Sequence, residues 1–136
     1  MSTTAMTRLG YALTGIFAAF LAIASIAPKL VGADVASDSM RQLGWPDGYV
    51  LTIGLIELAC LALYLVPRTA LLGAILMTGL LGGAIATQMR VENPLFTHTL
   101  FSVYLGLLMW GGLWLRDPSL RALIPMRGLA GRINGA

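Results

Sequence analysis

The stretch IGLIELACLAL, Ile53 to Leu63, decides how this chain folds. It is apolar almost throughout, yet it carries one carboxylate, Glu57. Three other runs are free of charge altogether: Leu9 to Ala27, Thr69 to Met89 and Thr99 to Leu115. Between Tyr49 and Val66 Glu57 is the sole charged residue. Each run is long enough for a bilayer's hydrocarbon core, which takes about 20 helical residues with a range of roughly 17–25. The chain is 57% hydrophobic and 11% charged, with a mean hydropathy of +0.81. Soluble domains carry about 25% charged residues, so a soluble fold is excluded. No run alternates with period two, so helices satisfy the backbone in lipid and a barrel does not. The expected fold is all-α: a membrane four-helix bundle in one domain, residues 1–136.

The spans are read as residues 9–27, 49–66, 70–89 and 99–115, with a basic tail over 116–136. The first could instead be a cleavable leader, with Arg8 before it and small residues from Ala22 to Ala27. Pro28 directly after Ala27, and three further spans, favour retaining it. Pro28 is expected to end the first span, because proline cannot continue the helical ladder. A short amphipathic outer helix, Val35 to Leu43, is expected next, with Asp34 as N-cap and Gly44 as its stop. Trp45-Pro46-Asp47-Gly48-Tyr49 reads as a turn with interfacial aromatics. Pro67-Arg68-Thr69 is so short that the second and third spans must be antiparallel neighbours. Pro94 breaks the connection from Arg90 to His98. Trp110 and Trp114 read as interfacial anchors at the end of the fourth span.

Basic residues set the orientation. Arg8, Arg68, Arg116, Arg121, Arg127 and Arg132 fall on one side; Lys29, Arg41 and Arg90 fall on the other. Six against three places both termini in the cytoplasm, and the tail's arginines either mark orientation or lie along anionic headgroups. The net charge of +3 is therefore a topology signal. Nucleic acid is excluded as a partner by the lack of a basic stripe with interleaved aromatics; membrane lipids are the expected surroundings.

An intramembrane acid should turn into the bundle and find a partner. Matching depths, the outer half collects Lys29, Glu57, Thr87, Gln88, Arg90, His98, Ser102 and Tyr104. The inner half offers little beyond Thr14 and Tyr64. Hence the expectation of an outward-facing polar pocket around Glu57, with Lys29, Thr87, Gln88, Arg90, His98 and Tyr104 as its ligand-binding residues. A second reading makes Glu57 interhelical glue, bonded to Gln88 or Tyr104. Gly79, Gly82, Gly83 and Ala86 form a small-residue face for helix packing, within the bundle or in a homodimer or other membrane-protein complex. Cys60 is alone, so no thiol relay exists. His98 is alone too, so no metal site is expected, and no complete catalytic constellation is present.

Several of these residues, taken together, resemble the DoxX-like membrane proteins. They are Pro28-Lys29-Leu30, Glu57, the turn from Val66 to Thr69, the run from Thr78 to Thr87, and Arg90-Val91. His98 to Phe101 and Trp110 to Asp117 complete the likeness, which covers nearly the whole chain. The resemblance implies a four-helix membrane bundle. It also implies links to quinone-coupled sulfur oxidation, oxidative-stress complexes or membrane-protein assembly. Lys29, Glu57, Arg90 and His98 sit where the family pattern has polar residues. That pattern places a histidine after the third-span threonine; Gln88 stands there, which can hydrogen-bond but cannot relay a proton as imidazole does. The functional expectation is an inner-membrane protein binding a small amphiphile, a quinone or a lipid, beside Glu57. The alternative is a non-catalytic assembly factor docking through the glycine-rich third span.

Overall fold

A computed structural model describes residues 2–124. Among them the apolar runs form helices: α1 (Thr3–Leu30), α3 (Tyr49–Leu65), α4 (Ala70–Arg90) and α5 (Leu95–Arg116). A short α2 (Asp34–Gln42) joins α1 to α3, and α6 (Pro118–Leu123) follows α5. Helices α1, α4 and α5 are long and apolar enough to cross a membrane; α3 is apolar and 17 residues long. At about 1.5 Å per residue α3 reaches roughly 25 Å, close to the hydrocarbon thickness. The all-α membrane bundle expected from the sequence is therefore what forms.

The helices pack in a ring. The first half of α1 lies along α5, its second half along α3, and α4 closes the ring between α3 and α5. Both described termini and the α3–α4 turn lie at one end, here the termini end. The opposite end carries α2 and is called the α2 end. Phe17, Leu21, Tyr64, Met77, Met109 and Leu113 are fully buried and fill the centre. Phe17 meets the Tyr64 ring edge-on at 5.5 Å. Large apolar side chains such as Ile16, Ile23, Leu72, Ile75 and Leu107 point outward all round. In water so much exposed apolar surface would drive association; in lipid it is the solvated face.

Pro28 does not end the first span. The helix runs on to Leu30, because Ala22–Ile26 form a π turn that ends two residues before the proline. A proline inside an α-helix lacks one N–H, and its ring clashes with the carbonyl four residues back. A π turn adds a residue to the turn and shifts that carbonyl, so the ring fits. The fourth span likewise begins earlier than residue 99. Pro94 serves as its N-cap residue, and a second π turn covers Leu95–Thr99 before α-helix resumes at Phe101.

Three helices at the α2 end stop in the same way. Gly32, Gly44 and Glu92 adopt left-handed backbones, with φ of 68°, 77° and 56°. The next amide bonds back to Pro28 O, Met40 O and Gln88 O respectively, the Schellman arrangement. Gly44 is thus the expected stop of α2. The start of α2 is one residue early: Asp34 is inside the helix and Ala33 is the cap residue, without a side-chain bond. Ala36, Met40 and Val50 bury one side of α2 against α3, with Ile53 beside them.

Close approach depends on four glycines. A Cβ on Gly54 would come within 2.8 Å of Lys29 Cβ, and one on Gly73 within 2.2 Å of the Tyr64 amide nitrogen. Gly10 and Gly112 play the same part between α1 and α5. By contrast a Cβ on Gly79, Gly82 or Gly83 would meet no described residue within 4 Å. The small-residue face expected on the third span therefore looks outward, and Ala86 is exposed beside it.

Candidate functional site

Glu57 turns inward and is 6% exposed. Helix geometry places it two turns from the α2 end of α3, facing the second half of α1. Its Oε1 accepts a hydrogen bond from Ser25 Oγ at 2.7 Å, and its Oε2 accepts one from Lys29 Nζ at 2.8 Å. Lys29 also donates to Ser25 Oγ at 2.5 Å. Ser25 and Lys29 are four residues apart, so one face of a continuing helix presents both. That face exists only because the π turn carries α1 past Pro28. Gly54, three residues before Glu57, has no side chain to hold α1 away.

The cluster is closed on itself but not fully sealed. The Lys29 side chain retains 15% exposure and that of Glu57 8%. Both carboxylate oxygens are occupied. An ammonium has three N–H groups and Lys29 uses two, so one remains free to donate. Charge is balanced inside the cluster, which relieves the cost of holding an ion in lipid.

The other residues expected at the site lie apart from this pair. Thr87 Oγ1 donates to Gly83 O of its own helix at 2.8 Å. Gln88 accepts from the Asn93 side chain across the α4–α5 turn. Arg90 donates to Leu43 O at 2.6 Å, capping the last carbonyls of α2. His98 is exposed and bonds to its neighbour Thr97. Tyr104 is 47% exposed on the outer surface. The glue partners Gln88 and Tyr104 are thus replaced by Ser25 and Lys29. Thr87 and Arg90 do share a feature: with Gly44, Trp45, Pro46 and Ala86 they line an open groove of about 380 Å³ at the α2 end.

Ser25 is the residue that sequence reading missed. A single hydroxyl in an apolar run carries no charge signal, and ending the helix at Pro28 hid its register with Lys29. A second polar cluster, near the termini end, was also underrated. Tyr64, fully buried, donates to Met109 O at 2.8 Å, and Thr14 donates to the Tyr64 hydroxyl at 3.3 Å. Arg116 is 9% exposed, donates to Tyr64 O at 2.8 Å, and stacks over the Tyr64 ring at 4.9 Å.

A ring of apolar helices enclosing one charge-balanced pair near one membrane face defines a small integral membrane helical-bundle protein. The DoxX-like family model matches residues 12–112, and the chain belongs to that family. The match includes α1 from its third turn through most of α5, and with them Ser25, Lys29 and Glu57. Neither the curated proteins nor the solved structures contain a match to this chain.

Proposed function

We propose that this protein binds a small amphiphile, a quinone or a lipid, at the α2 end, as an accessory to membrane redox chemistry. One observation carries the reading: Lys29 is held at the membrane face by Glu57 and Ser25 with one N–H unspent and its side chain partly reachable. A quinone carbonyl is an acceptor without a donor, which suits that N–H. At the same end, Thr87, Arg90 and the Trp45 ring line a separate groove that offers a second surface for an amphiphile. Gln88, His98 and Tyr104 are engaged elsewhere or face outward, so the proposal does not use them. The arginine distribution favours a cytoplasmic membrane with both termini inside, which puts the site on the outer face.

Purified protein titrated with ubiquinone and menaquinone analogues tests this by melting temperature. Wild type should gain stability with ligand, and Lys29→Met should gain little. Equal behaviour of the two would defeat the proposal. A second reading, assembly with another membrane helix, rests on Gly79, Gly82 and Gly83 packing against nothing among the described residues. Under it, Gly82→Leu abolishes a crosslinked oligomer that wild type forms in membranes. An oligomer indifferent to Gly82→Leu removes that reading.

A further inference from the structure

The Arg116 guanidinium is a buried charge with no ion-pair partner among the described residues. It is more than nine-tenths buried, yet no carboxylate lies within salt-bridge distance among the described residues. One N–H donates to Tyr64 O, and two rings, Tyr64 and Tyr11, lie beneath the plane at 4.9 and 5.7 Å. Its Nε–H is buried with no partner among the described residues. Bringing a guanidinium out of water without an anion is costly, and two ring faces and one carbonyl offset only part of that cost. The cation also borders a pocket of about 310 Å³ lined by Tyr11, Pro67, Ala70, Leu113, Ser119 and Asp117. Asp117 stands on the wall of the pocket but makes no ion pair with Arg116 within 4.0 Å; its Oδ1 caps α6, accepting from the Ser119 and Leu120 amides at 2.9 and 3.3 Å.

We infer that this pocket binds the phosphate of an anionic phospholipid at the termini end of the bundle. Phosphate is the acceptor geometry that guanidinium groups recognise. The pocket's wall argues for a lipid over a free ion. Tyr11 is 55% exposed, and beyond Pro67 the flank of α3 presents Leu65 and Val66, both half-exposed, along which an acyl chain can lie. Arg8, Arg68 and Arg121 stand at the same end and raise the local anion concentration. The site is separate from the Glu57 cluster, which lies toward the opposite end of the bundle.

The test uses the full chain in detergent, with added phosphatidylglycerol, phosphatidylcholine or inorganic phosphate, and bound lipid counted by native mass spectrometry beside melting temperature. Removing Arg116 would also disturb Tyr64, so the main variant is Ser119→Glu. That change adds a carboxylate at the pocket wall and suits the first turn of α6. Wild type should retain phosphatidylglycerol over phosphatidylcholine, and Ser119→Glu should weaken that retention about tenfold, the worth of one charge-assisted bond. Its melting temperature without lipid should equal or exceed that of wild type, because the new carboxylate faces the Arg116 cation and the N-terminus of α6. Arg116→Lys should keep partial retention. The inference is overturned if phosphatidylglycerol and phosphatidylcholine are retained alike, if Ser119→Glu retains as wild type does, or if inorganic phosphate alone gives the whole stabilisation.

Discussion

Removing both partners of the Lys29–Glu57 pair should cost less than the sum of removing each. Glu57→Gln keeps the shape of the side chain and can still accept from Ser25, but leaves the Lys29 ammonium without a counter-charge. Breaking a buried pair costs about 3–5 kcal/mol. Here Lys29 is 15% exposed and sits one residue from the end of α1, so its stem can swing to the interface. That discount brings the expected loss to roughly 1–3 kcal/mol. Lys29→Met should cost a similar amount, because Glu57 is then the uncompensated ion and lies deeper. The double variant Lys29→Met/Glu57→Gln has no ion to strand. It should lose less than the sum of the single changes, with a coupling of about 1–2 kcal/mol. Thermal unfolding in detergent, followed by circular dichroism, measures all three against wild type. Additive losses would refute the claim that the two side chains neutralise one another within the bundle.

Three further expectations follow from particular contacts. Gly73→Ala drives a methyl into the Tyr64 backbone at 2.2 Å and should cost at least 2 kcal/mol by about the measure of an overpacked core, whereas Gly82→Ala meets open space and should be neutral or slightly stabilising; parallel melting curves decide it. Glu92→Gly should stabilise by about 1 kcal/mol, since Glu92 holds a left-handed backbone at a helix C-terminus where glycine carries no steric penalty; a lower melting temperature would count against the assigned turn. Outside the membrane, a hydrogen bond from Arg41 and then its charge hold the Asp47 carboxyl below its ordinary range, a lowering that burial only partly opposes. A depressed pKa means the clasp is intact above the ordinary carboxylate range and opens as pH falls through the lowered value. Carbon NMR of Asp47 should show that low midpoint, and Arg41→Gln should return it toward about 3.9.

How much of this was readable in the residues depends on whether depth or direction was needed. Hydrophobic run length gave the four spans, because lipid imposes a length and forbids loose backbone. It also gave the inward turn of Glu57, since the penalty for facing acyl chains is large. Depth matching gathered Thr87, Gln88, His98 and Tyr104 around the acid, but residues at one depth can point to any side of their helices. His98 and Tyr104 point outward, and Gln88 is tied to Asn93. Glycine content was misleading for the same reason. The third span has many glycines, but a glycine brings helix backbones together only where a neighbour's backbone stands opposite, as at Gly10, Gly73 and Gly112. The extension of α1 past Pro28 was hidden because rules for proline assume α-helical hydrogen bonding, and the π turn escapes that assumption. The arginines of the tail beyond Ile124, Arg127 and Arg132, lie outside the described residues.

That π turn holds one residue more than an α turn would over the same rise, which rotates everything after it by about 100°. The first half of α1 can therefore address α5 while Ser25 and Lys29 address α3. A side-chain change cannot undo this, but shortening can. Deleting any one residue from Ala22 to Ile26 would restore a plain α register, swing Lys29 about a quarter-turn away from Glu57, and bring Pro28 into conflict with its own helix. Apart from Ser25 and the buried Ile26, the segment should thus tolerate replacement while rejecting changes in its length, a pattern that a systematic insertion and deletion library would expose.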